Sequence, residues 1–504
     1  SGPPPPPQPS RPSDDVSSTT LYLPPTPYST SMSDLYALQG RRATYLGPRE
    51  AAQLTPTCGV ELPRRLRLGL PVLAAGNVAL LVVAHLCKGA STEVTGQAPF
   101  GTLEPHTASD DNLISAIHRL AEARTWLMVF IVAFLSGLLP YLKLGATLAV
   151  VALTEQGAIP KASGFDRLCL IETLGKYSFA DVILICFNAV IFEISTDGKY
   201  TIMLFGSLEI NLFMHLKFGA VALILAVAFS ALLTHWAAWE LAPPPEPERG
   251  RAAEEECAPL LADEAARGER PPPEAQRPWA SAIAVLVALA AGVTLLVGAV
   301  TPMLHVERGG FLGNLIRPAE SRSLQLSVQS MSQDMLRASQ LRDDRTSAFF
   351  ALLLVALTVL APLLELVSLA ACACTPWLPP RLPKGRCRHH LRQAAEWFHS
   401  FDCVDVLLMV CVATVFEIHT VVEFNIGDEC APFASLMSNR ALLRVAGLGF
   451  AASDTCFDPV PRLQKGWWIL LAVVVLRTLA WRLEALGREA AAAPAVEAAA
   501  SRPR

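Results

Sequence analysis

Residues 174–194, LGKYSFADVILICFNAVIFEI, decide how this chain is read. Residues 398–418, FHSFDCVDVLLMVCVATVFEI, repeat their polar signature inside a second apolar run. At one constant offset Glu172 answers to Glu396, Asp181 to Asp405, Val182 to Val406, and Phe192-Glu193-Ile194 to Phe416-Glu417-Ile418. A carboxylate in or near hydrocarbon costs roughly 2.5–3.5 kcal/mol on insertion scales unless it is paired, hydrated or neutralised. Acids that recur two by two in such runs are candidate functional residues, and their recurrence points to an internal repeat.

The rest of the chain fits that reading. It has 504 residues, 52% hydrophobic and 17% charged, with the apolar residues clustered into long runs, which is the composition of a polytopic membrane protein. Eight spans are expected, near 68–86, 126–146, 179–194, 218–239, 279–300, 348–370, 404–422 and 467–483, the third and eighth being short for the roughly 20 residues that cross hydrocarbon. The expected fold is all-α: two repeated four-helix units, 64–242 and 279–486, with an Ala-rich tail at 487–504. Residues 1–63, rich in Pro, Ser and Thr, read as a disordered tail, and 243–278, dense in Pro, Glu, Arg and Ala, as a disordered cytosolic linker. Pro140 and Pro362 stand at corresponding places in the second span of each unit and predict kinks.

The net charge of −4 offers no basic field, and with no phosphate-cradling loop or nucleophile elbow, nucleic-acid binding and enzyme chemistry are set aside. Short-loop basic residues, Arg381, Lys384, Arg386, Arg388 and Arg392 with Arg64, Arg65 and Arg67, place both termini and the linker in the cytosol. Cys430 and Cys456 then face outward between spans seven and eight and are expected to pair in an oxidising compartment. No CxxC pair is present, so no metal or cofactor is expected. The set Cys372, Cys374, Cys387, His389 and His390 fits no common metal spacing.

Against this background the chain resembles the paraquat-inducible protein A family of integral membrane proteins. The elements that carry the resemblance are Pro140, Lys143-Leu144, the segment Leu174-Gly175-Lys176-Tyr177-Ser178, and Asp181-Val182. The second unit keeps Pro362 and Asp405-Val406 but has Glu365 in place of the lysine and His399-Ser400-Phe401 in place of the Gly-Lys-aromatic segment. The resemblance implies a two-unit membrane protein of lipid transport or membrane homeostasis, with the lipid bilayer and a phospholipid as ligands and an MCE-type lipid-carrier protein as partner. Bacterial members carry cysteine-pair zinc ribbons, which this chain lacks.

Each candidate residue has a plainer reading beside the functional one. Asp181 and Asp405 read either as N-caps of the third and seventh spans or as acids lining a polar path. Glu193 and Glu417, twelve residues further on, would snorkel into the outer headgroups. Lys143 would pair with Asp181 or snorkel, and Arg477 needs a partner that Glu365 or Glu417 could supply. The string Glu256-Cys257-Ala258-Pro259-Leu260-Leu261 has acidic-dileucine form, and Trp126, Trp236, Trp239, Trp279, Trp467, Trp468 and Trp481 form the aromatic belt. Two rival functions stay open: a secondary transporter of a small solute that uses the intramembrane acids, and a membrane scaffold.

Overall fold

The structure, a computed structural model, describes residues 64–98, 101–191, 194–195, 200–202, 206–242, 278–309, 323–342, 344–377, 384–426 and 458–500. The stretch 1–63, the linker up to residue 277 with its dileucine string, Glu193, and the cysteines Cys430 and Cys456 lie outside the described residues.

In chain order the first half runs α1 (Arg64–Leu86), β1 (Ala90–Ala98), β2 (Gly101–Asp111), α2 (Leu113–Glu122), α3 (Trp126–Glu155), α4 (Lys161–Ile191), β3 (Ile194–Ser195), β4 (Tyr200–Ile202), β5 (Gly206–Leu216) and α5 (Phe218–Leu241). The second half runs α6 (Pro278–Val300), β6 (Leu304–Gly309), β7 (Ser323–Leu326), α7 (Val328–Arg342), α8 (Arg345–Cys374), α9 (Lys384–Phe401), α10 (Val404–Ile426), β8 (Asp458–Leu463) and α11 (Lys465–Ala500). Six of the described helices, α1, α3, α4, α5, α6 and α8, are long and apolar enough to cross a membrane, and they make this an integral, multi-pass membrane protein.

Helix α1 shows how the membrane sorts its faces. Leu66, Leu70, Ala74, Asn77, Leu81 and Ala84 recur every three or four residues and are buried, and α1 packs against α5. Leu68, Val72 and Val83 remain apolar and exposed, as a lipid-facing surface must. The chain turns from strand into α5 and α11 by the same close approach. The Gly219 N–H donates to the Lys88 carbonyl at 2.9 Å and the Gly466 N–H to the Pro302 carbonyl at 2.8 Å. A Cβ on either glycine would stand 2.6 Å from that oxygen.

Three expectations are corrected. The fold is mostly helical but not all-α: β1, β2, β3, β4 and β5 form one antiparallel sheet, and β7-β6-β8 form another. Both sheets lie at the end of the bundle where α1 and α6 finish and α5 and α11 begin. The second and third spans are longer than expected, 30 and 31 residues, because α3 and α4 run on as a helical hairpin closed at Gln156–Pro160. The Ala-rich stretch beyond residue 486 continues α11 to Ala500 rather than forming a separate tail, as the high helix propensity of alanine favours.

The prolines act through a change of helical register. Ahead of Pro140 the helix widens to π geometry over Phe130–Leu138, and ahead of Pro362 over Ala356–Leu360. In that register each N–H reaches five residues back, as Ala361 does to Ala356. Pro362 has no N–H to offer the next acceptor, the Leu357 carbonyl. That carbonyl is taken instead by the Cys403 N–H at 3.1 Å, so the π turn pins the short break between α9 and α10.

Candidate functional site: a charged core between the two halves

The residues of the family-like segments collect in one place. Lys143, on α3, is fully buried and lies along Gly175 of α4, so closely that a Cβ there would meet Cδ and Cε of the lysine at 2.7 Å. The acid acting on Lys143 is Glu172, one turn before Gly175, whose Oε1 stands 3.2 Å from Nδ1 of His235 on α5. Thr147 and Thr234 meet at 3.1 Å between α3 and α5.

Asp181 is not the partner of Lys143, and it does not cap a helix. It lies within α4, in the first α-helical turn after a 3-10 turn at Lys176–Phe179, ten residues or about 15 Å from the end at Ile191. Opposite it is Ser136, ten residues into α3. The Ser136 hydroxyl faces the Asp181 carboxyl without a hydrogen bond of ordinary geometry. Lys143, seven residues deeper along α3, is about 10 Å below Ser136, which is why it meets Glu172 instead. The first half also holds buried polar atoms with no hydrogen-bond partner among the described residues: both amide atoms of Asn77 and the hydroxyls of Ser178 and Ser230.

Asp405 also departs from the capping expectation. The cap of α10 is Asp402, whose Oδ1 accepts from the Val404 N–H at 2.9 Å. Asp405, in the first turn, pairs with Lys176 of the other half at 2.6 Å and accepts from the Tyr177 hydroxyl at 3.2 Å. The apolar contact of Phe179 with Phe401, ring centroids 6.5 Å apart, flanks this pair. A buried pair of this kind is held together less for net stability than because removing one partner strands the other.

Glu365 on α8, which the sequence aligns with Lys143, is an acid surrounded by donors and cations. Its Oε1 accepts from Trp481 Nε1 at 2.7 Å and meets His399 Nδ1 at 2.9 Å; Arg477 Nη1 reaches Oε2 at 3.8 Å and pairs with Asp402. Arg477 thus serves Glu365 and Asp402, not Glu417. The positive group at the centre of these side chains is the guanidinium, so a metal ion would have to take its place. The set Cys372, Cys374, Cys387, His389 and His390 does not gather around one point. Cys372 instead lies under Glu484 and the Arg388 carbonyl.

Glu417 does not snorkel. Its two oxygens accept from the Leu127 and Met128 N–H groups, at 2.8 and 2.6 Å, capping the start of α3 from the other half, where Thr125 provides no side-chain cap. Arg308, from β6, points Nη2 at the Val190 and Ile191 carbonyls, 3.4 Å each, at the end of α4. Negative charge at a helix start and positive charge at a helix end both oppose the macrodipole, so the halves are clamped at this face by two complementary contacts.

Sequence reasoning singled out Asp181, Asp405, Lys143, Glu365, Arg477 and Glu417, and of their contacts it anticipated Glu365 with Arg477. It gave no site role to His235 or Asp402, read Trp481 as a membrane anchor and His399 as part of the second unit's segment, although a histidine within the apolar run LLTHWAAW was itself a signal. No protein-family model, curated protein or solved structure matches this chain.

Proposed function

We propose that this chain is an eight-span protein of two like four-span halves, with α10 and α11 as its seventh and eighth spans, acting in lipid transport or membrane homeostasis. The architectural part is supported by the common order of elements, the π turn before Pro140 and Pro362, and the matching entries at Gly219 and Gly466. The functional part follows the resemblance to the paraquat-inducible protein A family, and a single observation supports it. The segments that carry the resemblance meet at one interface, where Lys176 of the first half is joined to Asp405 of the second inside the apolar core. Charges held between two bundles suit a protein whose halves shift against each other while a polar headgroup passes, with an MCE-type carrier receiving the lipid.

A second reading, a proton-coupled transporter of a small solute, is favoured by the unpartnered buried groups of the first half. Native purification with mass spectrometry of bound lipids and proteins tests the first reading: a stoichiometric phospholipid or lipid-carrier partner is expected, and a lipid-free, solitary protein would overturn it. Replacing Asp181 by Asn separates the two, because lipid transfer between vesicles should survive the change and proton-driven solute uptake should not.

A further inference from the structure

The buried charges around Glu365 do not sum to zero until a proton is added. Glu365 on α8 and Asp402 between α9 and α10 are both fully buried acids, and the fixed cation that reaches them is Arg477 on α11. The fourth member is His399 on α9, 2.9 Å from Glu365, with its ring 6.1 Å from that of Trp481. The other ion pairs on or beside α9 are Asp405 with Lys176, Glu396 with Arg392 and Glu484 with Arg388; His389 and His390 stand side by side nearer its start, and Glu172 of α4 faces Lys143 and His235. Two acids and one arginine leave one uncompensated negative charge while His399 is neutral, and none once it is protonated.

We propose that Glu365, His399, Asp402 and Arg477 form a proton-binding site, and that uptake of the proton by His399 locks α9 onto α8 and α11. The guanidinium keeps its charge, and the His399 imidazole, with Nδ1 2.9 Å from Glu365 Oε1, is the base placed to carry the added proton against that carboxylate. The Glu365–His399 contact joins α8 to α9 in this cluster, and α9 leads directly to the break at Asp402–Cys403 that the π turn of α8 pins. Loss of the proton therefore loosens α9 at the place where the two halves meet through Asp405. At the offset that aligns Asp181 with Asp405, the first half has Gly175 in place of His399, and the Lys143 side chain fills the space. The device is confined to the second half, and it goes beyond the functional reading above, since it holds for a lipid or a solute cargo alike.

The experiment follows the thermal midpoint of the full chain in nanodiscs between about pH 5.5 and 8.5, where histidine titrates. The contact is strongest with the imidazole charged, so its contribution is present at low pH and lost as pH rises. His399→Gln, which retains a hydrogen-bond donor without the charge, should narrow its deficit against wild type by at least about 2 °C from the acid to the alkaline end. His399→Lys should hold the protected midpoint at both ends, and Glu365→Gln should remove the same pH-dependent component. Parallel profiles for wild type and His399→Gln would overturn the proposal. So would a midpoint that a chelator lowers only when His399 is present, which would assign the cluster to a metal ion. If His399→Gln does not accumulate, the His399→Lys and Glu365→Gln profiles decide the matter. Lipid-binding measurements play no part in this test, so its failure and the failure of the lipid-handling reading are distinguishable.

Discussion

A Cβ on Gly175 would fall on the stem of Lys143, so that position is small because a buried lysine passes over it on the way to Glu172. Gly175→Ala is expected to destabilise the full chain by about 1–3 kcal/mol through overpacking. With Lys143→Met beside it, the added methyl should cost less, giving a coupling of more than about 0.5 kcal/mol in thermal unfolding. Additive effects would show that the shape of this contact is unimportant. Lys176 makes a second residue-scale case, because its removal leaves the Asp405 charge with only neutral donors, the Tyr177 hydroxyl and the Val406 N–H, among its described partners. Lys176→Met should cost about 3 kcal/mol, at the lower end for a buried pair because Asp405 is partly exposed, and Lys176→Met/Asp405→Asn should cost less than the single change. A double variant less stable than the single one would mean that the pair does not act as a unit. The sequence made the charged members legible because an acid or base stands out against an apolar run. It offered Glu365 for Arg477 but not the other pairings: Lys176 and Asp405 come from different halves, and Arg477 also meets Asp402, a residue overshadowed by its neighbour Asp405.

At the level of helices and strands, the apolar runs were readable and the outer sheets were not, although one strand announced itself. Leu208, Ile210, Leu212, Met214 and Leu216 alternate with polar or bulky residues in the two-residue period of a strand, but the stretch lay between spans and was read only as connection. The helix starts behave differently from one another. Helix α3 depends on Glu417 in trans, so Glu417→Ala should cost about 1 kcal/mol and, more tellingly, raise hydrogen exchange at Leu127 and Met128. Unchanged exchange there would remove the cap from the account. Helix α8 has a local cap, Asp344, which accepts from the Thr346 N–H at 2.9 Å and the Ser347 hydroxyl at 2.7 Å. Burial pushes its pKa up, but these hydrogen bonds outweigh it and hold the carboxyl below its ordinary value. Its stabilising contribution is therefore complete above about pH 4 and is lost as pH falls through the lowered value. Asp344→Asn should thus destabilise at neutral pH and converge on wild type in acid. A difference that persists into acid would mean that the charge is not what matters.

For the molecule as a whole, the contacts that cross between halves are spread along its full depth. Glu417 and Arg308 engage the ends of α3 and α4 on the sheet side, Lys176 and Asp405 pair within the core, and the rings of His235 and Trp397 stand 6.4 Å apart where α4, α5 and α9 approach. Phe179 and Phe401 fill the apolar space between. Because each of these contacts sets a charge or ring of one half against the other, removing one partner strands its mate and costs more than the pair contributes. The covalent link through residues 242–278 is then unnecessary for association. A protease site placed at residue 265 and cut after purification in mild detergent should leave two fragments that migrate together. Adding Lys176→Met and Glu417→Ala to the cleaved protein should release one fragment from the other. Separation of the fragments on cleavage alone would show that the linker, and not the charged interface, holds the halves together.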